Sequence, residues 1–144
     1  MKVAQKFFFD ENYPPSITKL LKDCLSYHVS KPEISHVIEI YGAGLKDDEL
    51  IKRLIESGSK FIIISSDRGR SNNGPKLPVL CREANITHIL LSGNLTNSKA
   101  FEKLRAIISK WPEIAEIDAS KYSRYMLKYT VARKKTFFAL SQIA

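Results

Sequence analysis

The segment 60–66, KFIIISS, sets three consecutive isoleucines between a phenylalanine and two serines, and it closes on Asp67. A β-branched run with no polar alternation suits a strand covered on both faces, as in the centre of a parallel sheet. Helices must then cover both faces, and the flanking sequence supplies them. Segment 47–57 reads as a helix with Leu50, Ile51, Leu54 and Ile55 inward, and 77–84 reads as another.

The same alternation extends outward from that strand. Segment 6–10, KFFFD, is a buried strand stopping at Asp10, and Asn12-Tyr13-Pro14-Pro15 breaks the chain. A helix starts at Pro15 and Ser16, with Ile17, Leu20, Leu21, Cys24 and Leu25 on its apolar face. Segment 36–41, HVIEIY, reads as a second strand closed by Gly42-Ala43-Gly44. Segment 88–91, HILL, reads as a fourth, and 98–110 as a long helix with Phe101, Leu104, Ile107 and Ile108 on one side, ended by Trp111-Pro112. Four strand-then-helix units with short connections predict an α/β fold, a three-layer α/β/α sandwich around a mostly parallel sheet. The 144 residues fit one domain, with 1–118 as the core and 119–144 as a basic extension packed on it.

Charge is where composition matters. Lysine and arginine exceed aspartate and glutamate by 8, which favours a polyanionic partner. After Asp118 there is no acid, while Lys121, Arg124, Lys128, Arg133, Lys134 and Lys135 all carry positive charge. Lys121, Arg124 and Lys128 share a helical spacing beside Tyr122, Tyr125 and Tyr129, although 129–140 also suits an edge strand. Tyrosines beside cations suit a single nucleic-acid strand. No apolar run approaches the roughly 20 residues of a membrane span, so no membrane partner is expected and a cytoplasmic protein is.

In an open parallel sheet, ligands bind outside the carboxyl ends of the strands. Acids fall there three times: Asp10 after the first strand, Asp67 after the third, and Asp47-Asp48-Glu49 at a helix start. Converging carboxylates repel one another unless a hard cation such as Mg²⁺ or Mn²⁺ joins them. Such an ion lowers the pKa of a bound water and stabilises charge on a phosphodiester oxygen. Asp47 reads as the helix cap, leaving Asp48 or Glu49 to face the crevice, and Glu11 reads as solvated. Arg68, Arg70 and Lys76 lie beside Asp67 on a polar loop, suited to RNA phosphates.

In order and spacing, Phe8-Phe9-Asp10-Glu11-Asn12-Tyr13-Pro14-Pro15, Asp47-Asp48-Glu49-Leu50-Ile51 and Ile62-Ile63-Ile64-Ser65-Ser66-Asp67 resemble the PIN-like family. The likeness is to its small prokaryotic branch with a DEN motif, the VapC-like toxin ribonucleases. The resemblance implies Mg²⁺- or Mn²⁺-dependent RNA cleavage, with Asp10, Asp48 and Asp67 as the catalytic, metal-binding acids. It further implies RNA and an antitoxin protein as partners, with a homodimer as the assembly to test. Many relatives carry another acid two residues after the third one, where this chain has Gly69. Glu11, Asp47, Glu49 and Asn94 are the substitutes at hand, and a non-catalytic RNA- or protein-binding module is the competing reading.

Other chemistries find less support. A third glycine of GxGxxG would fall at Asp47, where its charge would oppose a pyrophosphate, and no P-loop motif exists. An aspartyl phosphatase needs a second acid where Asn12 stands. His28, His36 and His88 read as structural, and Cys24 and Cys81, without CxxC spacing, as small apolar residues.

Overall fold

A computed structural model describes residues 5–10, 13–28, 32–66 and 77–143. Its strands are β1 (Lys6–Phe9), β2 (Glu33–His36), β3 (Phe61–Ser65), β4 (Thr87–Leu91), β5 (Arg124–Ala132) and β6 (Lys135–Ile143). They form one sheet in the order β2-β1-β3-β4-β5-β6, parallel throughout except for β6, which pairs antiparallel with β5. The helices are α1 (Pro15–Leu25), α2 (Val37–Tyr41), α3 (Asp47–Glu56), α4 (Leu77–Ala84), α5 (Gly93–Thr96), α6 (Ala100–Ser109) and α7 (Trp111–Ile114).

Strand pleating divides the core in two. Phe7, Phe9, Ile62, Ile64, Ile89 and Leu91 point to one face, where they meet Ile17 and Leu21 of α1, Ile107 of α6 and Trp111 of α7. Phe8 and Ile63 point to the other, where Val37, Leu50, Leu54, Leu77 and Cys81 cover them. These are the three layers of an α/β/α sandwich. Helix phases are tighter than the apolar lettering suggested. Leu20, Cys24, Ile55, Phe101 and Ile108 are exposed, and α1 buries Thr18 instead.

Three readings are corrected. The strand placed at 36–41 lies earlier, at β2, and the chain turns helical at Val37. His36 causes the change: its buried ring takes the Ile38 N–H on Nδ1 at 3.1 Å, an N-cap bond. The proton is left on Nε2, which donates to the Tyr13 carbonyl at 2.5 Å. His36→Ala would strand both groups, and we expect a stability loss of about 2 kcal/mol by urea denaturation.

The tail is the second correction. Lys121, Arg124 and Lys128 do not form a helical stripe, because 124–132 is strand and residues there repeat every two. Tyr125 and Tyr129 turn inward against the α6 side of the core, so they are not a stacking surface. Third, Trp111-Pro112 does not simply stop a helix but opens α7, with proline in its first turn. Among the described residues no helix is long and apolar enough to cross a membrane.

Candidate functional site

The sheet order contains a switch point. From β1 the chain leaves through α1, on one face, toward β2; from β3 it leaves through α4, on the opposite face, toward β4. Connections that depart in opposite directions open a crevice beyond the carboxyl ends of those two strands. Asp10 stands at that point. Its N–H extends the ladder by donating to the Ile64 carbonyl at 3.0 Å, and its own carbonyl accepts from Tyr13 N–H at 3.0 Å. With 5 % of its surface exposed, Asp10 is a buried carboxylate in an otherwise apolar strand end.

The register fixes which side of the sheet the site uses. Phe8 pairs with Ile63, Ile63 with His88, and His88 with Arg124, so these residues share one face, that of α3 and α4. Asp10, two residues after Phe8, follows the same pleat. Ser65 and His88 lie on this face, fully buried, with Ser65 Oγ 2.8 Å from His88 Nε2. Sequence reasoning passed over that pair, although two serines and a histidine within apolar runs are the signal for it.

The acids at the start of α3 separate. Lys46 is the N-cap residue and its side chain makes no capping bond. Asp48 is exposed, its Oδ1 accepting the Glu49 N–H at 2.9 Å, and Glu49 pairs with Arg53 at 3.2 Å. Asp47 is half-buried. Its charge is felt inside: burial, then Asp47, then Asp10 push the Cys81 thiol up to about 12, against a smaller lowering by Arg124. Asp47 and Asp10 therefore act on one buried thiol on the inner side of α4, which stays protonated and unreactive at neutral pH. Asp48 thus satisfies one of the free amides of the first turn of α3.

Asp67, Arg68, Gly69, Arg70, Lys76 and Glu11 lie outside the described residues. Ser66, at 8 % exposure, is the last described residue after β3. Asn94 is exposed in α5, Arg124 is half-buried, and Lys121 and Lys128 are exposed. No three His, Cys, Asp or Glu side chains among the described residues form a group able to hold a metal ion. Two hard oxygen donors are nevertheless present, buried Asp10 and half-buried Asp47, and their chemistry suits Mg²⁺ or Mn²⁺.

The fold is a mostly parallel α/β/α sandwich with a carboxylate at its switch point, an arrangement that hosts several chemistries and by itself names none of them. The family model described as PIN like domain matches residues 5–92, more than half of the chain, so the protein belongs to the PIN-like domain family. Members of that family are generally nucleases and typically use divalent metal ions. No curated protein and no solved structure matches the chain. The matched span runs from β1 through β4 and so contains the switch point, while β5 and β6 lie beyond it.

Proposed function

We propose that this chain is a metal-dependent endoribonuclease that hydrolyses RNA phosphodiester bonds, and that Asp10 anchors its site. The observation that carries the reading is a buried carboxylate at the sheet's switch point in a chain of net charge +8. Asp10 and Asp47, joined by Asp67, would supply the oxygen donors. A bound Mg²⁺ or Mn²⁺ would supply an activated water and stabilise charge on the scissile phosphate. The backbone bonds of Asp10 to Ile64 and Tyr13 fix the main chain from which its carboxylate projects. Arg68 and Arg70 would meet RNA phosphates beside it.

Asp48, carried over from the family resemblance as the helix acid, gives way to Asp47 in this proposal. Asp47→Asn is expected to lower Mn²⁺-dependent cleavage of a single-stranded RNA pool by about 10²-fold, the scale of one lost charge-stabilising group. Asp48→Asn should change it by less than about threefold, since its carboxylate is exposed and turned onto its own helix. The reverse ranking would return the role to Asp48.

A toxin role in a VapC-like toxin–antitoxin pair is part of the same proposal. An acidic antitoxin segment suits the basic surface, and co-purification with the product of a neighbouring gene tests it. Gly69 favours a second reading, an RNA-binding module without catalysis. That reading predicts salt-sensitive binding indifferent to chelation and no cleavage with any divalent ion.

A further inference from the structure

The β5–β6 hairpin outgrows the sheet that carries it. Strand β4 pairs with β5 only from Arg124 to Leu127, its last residue, Leu91, standing opposite Leu127. Five further residues of β5, 128–132, continue past the carboxyl edge, about 17 Å at about 3.4 Å per residue. Because β5 runs parallel to β1, β3 and β4, this projection leaves from the edge that holds Asp10. Three strand spacings separate β5 from β1, about 14 Å at about 4.8 Å each.

The projecting part has two unlike faces. Tyr129 and Phe138 pair across the strands, with ring centroids 5.8 Å apart, and pack back on the core. The opposite face presents Lys128 beside Ala139, then Thr130 beside Phe137, then Ala132 beside Lys135. All six are exposed, including Phe137 with 52 % of its surface in solvent. By register with His88 and Arg124, this is the face of the sheet on which Asp10 and α3 lie. An aromatic ring is thus set between two lysines on the same side as the acids.

The turn points the same way. Arg133 and Lys134 make a two-residue connection with φ of 50° and 62°, the left-handed conformation that a tight hairpin requires at both positions. Asn-Gly meets that requirement with least strain, whereas this chain sets two cations there. From Arg124 to Ile143 the hairpin carries five lysines and arginines and no acid.

We propose that the β5–β6 hairpin is a binding arm for single-stranded RNA. Lys128, Arg133, Lys134 and Lys135 hold phosphates, and Phe137 stacks on a base. The arm thereby guides the strand along the carboxyl edge toward Asp10. Charge complementarity selects a polyanion, and an exposed ring between cations selects unpaired bases over a duplex, whose bases are stacked away. As a guide toward cleavage the arm rests on the nuclease reading; as a binding surface it stands without it.

The test is fluorescence anisotropy of a labelled, mixed-sequence 20-nucleotide RNA with the full chain in EDTA, across a salt series. Arg133→Asn with Lys134→Gly retains the turn and should raise the melting temperature, yet weaken binding about tenfold at 0.1 M salt. It should also flatten the log–log salt slope by about 1.4, two contacts at about 0.7 each. Phe137→Ala should weaken single-strand binding at least about fivefold with the slope unchanged, and leave duplex binding as it was. Single-strand affinity and slope unchanged in both variants would overturn the proposal. So would a wild-type dimer that dissociates in the variants while RNA affinity holds, since the hairpin would then be an interface between copies. Binding lost in the variants of a chain that cleaves nothing would sustain the arm and dismiss the nuclease.

Discussion

Asp10→Asn is expected to reduce metal-dependent RNA cleavage by about 10²–10³-fold, the scale of losing a charge aimed at the reacting centre from a buried site. The effect is large because Asp10 is buried at the strand end, where water cannot replace the lost donor. The substitution preserves shape, and the backbone bonds to Ile64 and Tyr13 do not involve the side chain. Folding should therefore survive, with a melting temperature within about 4 °C of the parent, equivalent to about 1 kcal/mol. Single-turnover cleavage at saturating protein checks the rate, and Mn²⁺ titration of both proteins checks the ion. Undiminished cleavage, or undiminished Mn²⁺ binding, in the variant would remove Asp10 from the site.

The second large effect concerns the scaffold. Trp111→Ala should cost about 3–5 kcal/mol, the usual range for deleting a large buried aromatic. Trp111 is 2 % exposed, and its ring lies 4.9 Å from that of Phe7 and 6.4 Å from that of His28. It thus joins α7 to the first strand and to the turn that follows α1, and the strand it supports leads into Asp10. A domain of this size has about 5–15 kcal/mol in total, so the variant should approach the threshold of folding. Trp111→Phe should be much milder, about 1 kcal/mol, because the indole N–H has no hydrogen-bond partner among the described residues to lose. Urea denaturation distinguishes the two. A loss below about 1 kcal/mol for Trp111→Ala would mean that the α7 contact is peripheral to the fold.

The parts of the fold legible in the sequence are those where one force dominates. β1, β3 and β4 lie inside the sheet, so unbroken apolar runs identify them, and the acid that ends the first run stands at the switch point. Helices α1, α3, α4 and α6 were readable by period, but not their rotation. Leu20, Ile55 and Phe101 share the spacing of the inward residues and sit at the margin of each apolar face. The segment 36–41 was misread because Val, Ile and Tyr favour a strand by propensity. One local side-chain bond, His36 to the Ile38 amide, caps a helix there, and the long-range contact of the same ring with the Tyr13 carbonyl is nothing that propensity contains.

The tail was ambiguous for a different reason. Lys121, Arg124 and Lys128 recur at intervals of three and four, which matches a helix, while Arg124, Met126 and Lys128 also alternate as a strand does. Pairing with β4 decides it, and that contact is distant in sequence. The sequence reading makes Asp47 the cap and Asp48 the acid facing the crevice, whereas Asp47 is half-buried and Asp48 exposed. Adjacent residues in a first turn differ by about 100° in direction, and only the packing of α3 against α4 sets which one faces inward.

The central claim is that carboxylates at the β1–β3 switch point serve a divalent ion in cutting RNA. The most direct measurement is cleavage of a mixed single-stranded RNA pool by the full chain with Mn²⁺, with Mg²⁺, with EDTA, and with EDTA followed by excess Mn²⁺, each beside Asp10→Asn. The account predicts products with either ion, none in EDTA, recovery on adding Mn²⁺, and little or none from the variant. Cleavage that persists in EDTA, or that Asp10→Asn matches in the presence of Mn²⁺, would contradict it.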